Sequence, residues 1–211
     1  MLDIPFFVYA FISIFSIVNP ITALVTYITV TRGHTPSERM TTAKRAVLIA
    51  FLLCIAFAFT GDYILKAFGI TVDSLRVAGG VILFMVALQM VQAKISGESA
   101  TKKEIEAAQD GEDVSVFPLA TPLLVGPGAI TTVIVIMGIA TTTIARAEVV
   151  LAIVLTFSIT YVMFRFSIPI NNVLGITGIM VLTRIMGLML AAIAVGFISM
   201  GTWNIYRSFT G

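Results

Sequence analysis

Six long apolar stretches constrain the fold of this chain more than any other feature of its sequence. A helix that crosses a bilayer needs about 20 mostly apolar residues, because it rises about 1.5 Å per residue and the hydrocarbon is about 30 Å thick. None of the stretches alternates as a β-strand does, which argues against a β-barrel. We therefore predict an all-α polytopic membrane protein whose transmembrane helices lie approximately over Pro5–Thr31, Thr42–Phe68, Ser74–Ala93, Val116–Ala140, Val149–Ile170 and Ile179–Tyr206.

The composition supports a membrane location. Of the 211 residues, 58% are hydrophobic and 11% are charged, which is more apolar surface than a soluble globule of this size buries. The first stretch has no basic segment before it and no A-x-A site after it, so we expect a retained span rather than a signal peptide. Cys54 is the only cysteine, which excludes an intrachain disulfide and favours a packing role.

The basic residues predict an orientation for the spans. The positive-inside rule places both termini outside the plasma membrane and the loops after spans one, three and five in the cytoplasm. Tyr63, Trp203 and Tyr206 are then expected at the outer interface. Nine basic residues fall on the cytoplasmic side (Arg32, Arg39, Lys44, Arg45, Lys94, Lys102, Lys103, Arg165 and Arg184) and four on the other (Lys66, Arg76, Arg146 and Arg207).

A long polar segment, Ser96–Ser115, divides the chain near its middle. Its acidic residues outnumber its lysines, and it has no metal-ligand spacing. We predict a solvated cytoplasmic linker, with a short amphipathic helix or a partner site as the alternative. The chain then consists of a first three-helix repeat (residues 1–93), the linker (94–115) and a second three-helix repeat (116–211).

The two halves share three short words in the same order, at offsets of 107, 106 and 108 residues. Because three spans is an odd number, the second half must enter the membrane from the opposite side, so we predict inverted repeats. Many secondary transporters have this architecture and hold the substrate between the repeats near mid-bilayer. The matched words are Val18-Asn-Pro20 with Val125-Gly-Pro127, Gly69-Ile-Thr71 with Gly175-Ile-Thr177, and Arg76-Val-Ala-Gly79 with Arg184-Ile-Met-Gly187.

A proline near the centre of spans one and four predicts a break in each helix near mid-bilayer. Pro20 and Pro127 have no N–H to donate to the carbonyls of Ser16 and Leu123, and a residue before proline avoids the helical conformation. The alternative is a proline kink that neighbouring helices tolerate. The matched pair favours a break, after which a new helix begins with the preceding residue as its N-cap.

The N-terminal ends of these two new helices would meet at the centre, where each offers unpaired N–H groups and the positive end of a helix dipole. The Asn19 side chain can cap its own helix, whereas Gly126 has no side chain and leaves the amides of Gly128 and Ala129 open. We predict that the Gly126–Thr132 end binds a carboxylate and that nearby carbonyls and hydroxyls bind an ammonium group, as in a small zwitterion. The candidate binding residues are Ser16, Asn19, Pro20, Thr22, Leu123, Gly126, Pro127, Gly128, Ala129, Thr131 and Thr132.

Four segments resemble the MarC family of six-span membrane proteins, which includes an archaeal small neutral amino-acid transporter. The resemblance implies movement of glycine, alanine and similar amino acids across the plasma membrane, by coupling to an ion gradient or as export. Thr22 and Val25 stand where the family pattern carries a glycine and a second proline, so substrate preference and the first break do not transfer directly. The segments are Phe15–Ile28, Leu75–Leu88, Val116–Ile134 and Leu182–Ile198.

Arg76 and Arg184 begin spans three and six, where we expect them to snorkel to an interface. The alternative is a gate ion pair, in which Asp73 lies on the same helix face as Arg76. Gly79 and Gly187 suit close packing within or between protomers, so a homo-oligomer stays open.

No carboxylate is placed at mid-membrane by the sequence, since Asp62, Asp73 and Glu148 lie near helix ends. Coupling to Na⁺, to H⁺ or to neither therefore stays open.

We expect no cofactor, no metal site and no nucleic-acid partner. The alternatives to a transporter are a channel-like pore or exporter for another small polar solute, and an accessory protein. An enzyme is not expected, because H-E-x-x-H, G-x-S-x-G and paired intramembrane acids are missing.

Overall fold

Helices make up the regular structure of the chain as far as it is described. The computed structural model describes residues 3–92 and 114–210, except for the side chain of Ile176. The predicted linker therefore lies outside the described residues, apart from its last two positions. The helices are α1 (Ile4–Val18), α2 (Pro20–Val30), α3 (Pro36–Ala67), α4 (Val72–Val91), α5 (Pro127–Ile139), α6 (Thr143–Arg165) and α7 (Ser167–Thr210), with a wider coil over Ser115–Leu124.

The spans predicted from hydrophobicity correspond to apolar helical segments, one of which is a bent pair. Within the described ranges, five spans are long and apolar enough to cross a bilayer, and a pair of helical segments bent by 56° makes a sixth if it is one span. The all-helical membrane architecture is confirmed at this level. The five are Ile4–Val30, Pro36–Ala67, Val72–Val91, Thr143–Arg165 and Thr177–Thr210, and the bent pair is Ser115–Leu124 with Pro127–Ile139.

The predicted bounds of span five are wrong at both ends. Helix α6 runs over Thr143–Arg165 rather than Val149–Ile170. It starts early because the Thr142 hydroxyl accepts a hydrogen bond from the Ala145 amide at 3.1 Å, which caps the helix before its charged residues. The chain turns at Phe166, so the residues that follow begin α7.

Helix α3 also begins before the predicted apolar stretch. Its first residue is Pro36, six positions ahead of the predicted Thr42. The Thr35 hydroxyl accepts from the Glu38 amide at 3.3 Å, and the Glu38 carboxylate accepts from the Thr35 amide at 2.7 Å. This capping box extends the helix into a polar segment that hydropathy alone assigns to a loop.

The two glycines matched between the halves of the sequence both have a positive φ. Gly69 has φ 66° and Gly175 has φ 59°, a region that side chains disfavour. Gly69 ends the turn before α4, and Gly175 interrupts α7 just before the apolar span that begins at Thr177. Each glycine therefore marks the entry to the last span of its half.

Helices α4 and α7 pack through glycines. A Cβ on Gly80 would lie 2.9 Å from the Ala194 carbonyl oxygen, and a Cβ on Gly187 would lie 2.8 Å from Met90 Cβ and 3.1 Å from the Ala87 carbonyl oxygen. These distances are shorter than ordinary van der Waals contact, so the helices approach this closely only because both positions lack a side chain.

Replacing Gly187 with leucine is expected to destabilise the protein by about 1–3 kcal/mol, because the added side chain meets backbone and Cβ atoms of α4 that cannot move aside. The measurement is the thermal stability of the detergent-solubilised protein, followed by size-exclusion chromatography. Gly196→Leu is the matched control on the same helix, since a Cβ there has nothing within 4 Å. Equal losses in both variants would contradict the packing role of Gly187.

Candidate functional site

The first apolar span contains an interruption at Asn19. Helix α1 ends at Val18 and α2 begins at Pro20, with Asn19 between them at φ 46° and ψ 66°. Asparagine tolerates this left-handed conformation better than most residues do. Its Oδ1 accepts from the Thr22 amide at 3.3 Å and its Nδ2 donates to the Thr22 hydroxyl at 2.7 Å, so the side chain caps α2 at Thr22.

The chain before α5 is not an α-helix, which corrects the prediction of a helix from Val116. Ser115–Leu124 forms a wide coil in which Phe117 and Thr121 are extended. Each of these residues precedes a proline, and a residue in that position is pushed out of the helical region. The Phe117–Pro118 and Thr121–Pro122 peptide bonds are cis.

Helix α5 begins without a side-chain cap. Gly126 is its N-cap at φ −88° and ψ 179°, and Pro127 is its first residue. The Gly126 carbonyl accepts from the Ile130 amide at 3.1 Å, but no side chain caps this end. Gly128 and Ala129 are buried, whereas Pro127 is exposed. The start of α5 therefore differs from that of α2 in the way that Asn19 and Gly126 predict.

The interruption in the first span lies close to the start of α5. A Cβ on Gly128 would lie 3.0 Å from Ile17 Cδ1, near the end of α1, and 3.4 Å from Leu83 Cδ2 on α4. The α1 residue two positions before Asn19 thus contacts the second residue of α5. The chain brings together the two sets of candidate binding residues, which are more than 100 positions apart in sequence.

Buried hydroxyls lie on α1 before the interruption. Ser13 and Ser16 are buried, and their hydroxyl oxygens have no hydrogen-bond partner within the described ranges. Tyr9, Ser13 and Ser16 are spaced by four and three residues, so they share one face of α1. Of these three residues, only Ser16 is among the binding residues predicted from the sequence. The helical spacing of the two serines was the signal that would have added Ser13.

The threonine hydroxyls on α5 are already used within the helix. Thr131 Oγ1 donates to the Pro127 carbonyl at 2.9 Å, and Thr132 Oγ1 donates to the Gly128 carbonyl at 2.8 Å. Their protons are therefore not available to a substrate in this conformation, although their lone pairs are.

The remaining candidate residues occupy mixed environments. Pro20 is buried, and Leu123 is half-buried on the coil before Gly126. The half-buried Thr22 lies beside the last span of the second half, where its hydroxyl is 3.3 Å from the Thr183 hydroxyl.

The residues predicted to form a gate do not form an ion pair with one another. Arg76 is only 4% exposed, which contradicts the prediction that it snorkels to an interface. The Asp73 carboxylate instead accepts from the Asn204 side-chain amide at 3.0 Å. Arg184, the sequence match of Arg76, is exposed. The two arginines differ in exposure because the face of α4 that carries Arg76 packs inside the protein.

Glu148 is a buried acid that hydropathy predicts to lie near a helix end. It is 1% exposed, and its Oε1 accepts from the Asp3 amide at 2.6 Å. Its Oε2 is buried without a partner in the described part of the chain. Glu148 lies in the first turns of α6, where hydropathy predicts exposure. The sequence does not reveal that the start of α1 covers this carboxylate. Among the described residues no three His, Cys, Asp or Glu side chains cluster as metal ligands.

One protein family matches this chain over nearly its whole length. The family model described as MarC family integral membrane protein matches residues 4–206. A UPF0056 membrane protein of Methanocaldococcus jannaschii is 42% identical over 95% of this chain and 97% of its own length. The UPF0056 membrane protein YvbG of Bacillus subtilis is 36% identical over 97% of this chain and 98% of its own length. YhcE of Escherichia coli, another UPF0056 membrane protein, is 36% identical over 97% of this chain and 95% of its own length. No solved structure matches the chain.

Proposed function

The chain belongs to the MarC family of integral membrane proteins, and we propose that it is a secondary transporter of small neutral amino acids. Glycine, alanine and threonine are the proposed substrates, moved across the plasma membrane by alternating access. The observation that carries the proposal is the uncapped start of α5, which lies against α1 beside the interruption at Asn19.

The start of α5 suits a carboxylate. The first turn of a helix has N–H groups without intrahelical acceptors, and the helix dipole adds the equivalent of about half a positive charge. Gly126 contributes no side chain that would occupy these donors, and no other side chain caps this end. A substrate carboxylate would accept from the amides of Gly128 and Ala129 without any charged side chain.

The end of α1 suits an ammonium group. Pro20 cannot donate to the Ser16 carbonyl, because proline has no N–H. The hydroxyls of Ser13 and Ser16 are buried and unpartnered in the described part of the chain, so their oxygens are available as acceptors. A zwitterion whose carboxylate is on α5 would direct its ammonium group towards these atoms. Bulky side chains are disfavoured because Ile17 and Leu83 already approach Gly128 closely.

Contacts between the halves support the proposed inverted repeat. Gly79 on the last span of the first half packs against Thr131 on the interrupted span of the second half. Thr183 on the last span of the second half lies beside Thr22 on the interrupted span of the first half. In each case the last span of one half reaches the interrupted span of the other, as a pseudo-two-fold arrangement requires.

We further propose that both termini face outside, that the linker is cytoplasmic and that an ion gradient drives transport. Na⁺ and H⁺ are both compatible with the chemistry of the site. Carbonyl and hydroxyl oxygens at the interruptions are suitable ligands for Na⁺. The buried Glu148 carboxyl is a candidate proton carrier, since buried acids in membrane proteins commonly have that role.

Counterflow in liposomes tests the function. The purified protein is reconstituted with unlabelled alanine inside, and uptake of labelled alanine, glycine and threonine is measured with and without sodium and pH gradients. We expect saturable uptake that internal alanine accelerates and that external alanine inhibits. Linear uptake without competition would indicate a channel-like pore, and absence of uptake for all three amino acids would contradict the proposed substrates.

A further inference from the structure

Arg76 is a buried guanidinium with weak partners. In the part of the chain that the structure describes, its Nη2 lies 3.4 Å from the Met200 sulfur, its Cζ lies 5.7 Å from the centre of the Phe197 ring, and the Tyr9 hydroxyl is adjacent. Its Nε is buried without a partner. None of these three neighbours carries a compensating negative charge.

A buried cation of this kind is costly unless an anion pairs with it. Asp73 is the acid nearest to Arg76 in sequence, but its carboxylate accepts from Asn204 instead. A thioether, a phenol and an aromatic ring surround the guanidinium, and each is a weaker partner for it than a carboxylate. A carboxylate is such an acceptor, because it matches the planar fork of an arginine with two parallel hydrogen bonds.

The position of Arg76 relates it to the proposed binding site. On α4 and α5, Leu83 lies beside Gly128 and Gly79 lies beside Thr131. The residue numbers fall along α4 as they rise along α5, so the two helices run antiparallel. Seven residues of α4 separate Leu83 from Arg76, which is about 10 Å at 1.5 Å per residue. Measured along the helix axis, Arg76 is thus offset by about 10 Å from the start of α5, on the side of the membrane where α1 begins.

The face of α1 that carries Tyr9 extends from Arg76 to the start of α5. Ile17 contacts Gly128, and Tyr9 lies eight residues earlier, about 12 Å along the helix. Tyr9 is therefore at the level of Arg76, and the unpartnered hydroxyls of Ser13 and Ser16 lie between that level and the interruption. Polar groups thus continue from the buried guanidinium to the start of α5.

We propose that Arg76 is a second recognition site for the carboxylate of the transported amino acid. The carboxylate displaces the Met200 sulfur and the Tyr9 hydroxyl from the guanidinium, and it occupies this position on its way to or from the start of α5. The inference rests on the proposed transport function and deepens it, since it assigns selection for a free carboxylate to a named side chain.

The test is competition of labelled-alanine counterflow by alanine and by alaninamide, which keeps the ammonium group and lacks the carboxylate. In Arg76→Gln we expect the affinity for alanine to fall about tenfold or more, as the loss of a charge-assisted hydrogen bond predicts, with little change for alaninamide. Arg76→Lys keeps the charge but loses the planar guanidinium, so its affinity for alanine should lie between those of the wild type and Arg76→Gln. Arg207→Gln, which removes an exposed arginine at the end of α7, is the control and should match the wild type.

The outcomes separate the two proposals. Absence of counterflow in the wild type contradicts the proposed function itself. Normal counterflow in the wild type, with unchanged alanine affinity in Arg76→Gln, overturns only the role of Arg76. An equal loss of affinity for alanine and alaninamide also overturns it, because that pattern indicates a structural residue.

A measurement on the wild type covers the case in which Arg76→Gln does not fold. Reconstituted protein is treated with phenylglyoxal, and modified arginines are located by peptide mass spectrometry. Alanine should protect Arg76 and leave Arg207 modified, and alaninamide should protect neither. Modification of Arg76 that alanine does not prevent contradicts the proposal. Absence of any modification at Arg76 also contradicts it, since a group that receives the substrate must be reached from water.

Discussion

Replacement of Gly79 by alanine is expected to reduce alanine counterflow by a factor between about 5 and about 150, which corresponds to the 1–3 kcal/mol cost typical of overpacking. The added Cβ would overlap Cγ2 of Thr131, on the first turns of α5. Thr131 cannot easily rotate away, because its hydroxyl is bonded to the Pro127 carbonyl at 2.9 Å. The start of α5 would therefore shift away from α4. Initial rates in proteoliposomes, normalised to the amount of inserted protein, measure the effect.

A second substitution should restore activity in the Gly79→Ala variant. Thr131→Ser removes the Cγ2 atom that the new methyl group meets and keeps the hydroxyl that bonds to Pro127. We expect Thr131→Ser alone to transport nearly as well as the wild type, and the double variant to recover most of the lost rate. If the double variant is as inactive as Gly79→Ala, the contact between α4 and α5 is not the cause of the loss.

Gly126→Asn is expected to weaken alanine binding by about tenfold or more, because the asparagine side chain would cap the amides that we assign to the substrate carboxylate. Gly126 has φ −88° and ψ 179°, an extended conformation that asparagine adopts readily as an N-cap. The substitution gives α5 the cap that Asn19 gives α2. The affinity is measured from the concentration of alanine that half-saturates counterflow.

The Gly126→Asn experiment needs a control for the space that any side chain occupies at position 126. A Cβ at position 126 would lie 2.8 Å from the Pro122 carbonyl oxygen, so any side chain there displaces the backbone. Gly126→Ala brings the same Cβ without a capping oxygen. The prediction therefore concerns the difference between the two variants: alanine affinity should be lower in Gly126→Asn than in Gly126→Ala. Equal affinities would remove Gly126–Thr132 as the carboxylate site.

Much of the helical architecture was predictable from local chemistry. The apolar stretches identify the spans because only internally hydrogen-bonded helices of sufficient length satisfy the backbone in lipid. The helix starts at Pro20 and Pro127 follow from the missing proline N–H and its fixed φ. The difference between their caps follows from one side chain, that of Asn19. The inverted relationship of the halves, the orientation and the substrate stay predictions.

Burial was not predictable from the sequence. Arg76 and Arg184 occupy matching positions in the two halves, yet one is buried and the other is exposed. Glu148 is six residues into α6 but is covered by the start of α1 through its bond to the Asp3 amide. In each case the local sequence gives the charge and the helix, while the neighbouring helices determine whether that charge meets lipid, water or protein.

Local sequence is enough to predict a helical membrane protein whose helices begin at two matched prolines, because covalent geometry and hydrocarbon thickness act on each segment alone. The folded chain alone reveals that Ile17 lies beside Gly128, Gly79 beside Thr131 and Arg76 beside Tyr9, since these contacts depend on how distant helices pack. Packing depends on the shapes of both surfaces together, and the pattern of one segment does not contain the shape of its partner.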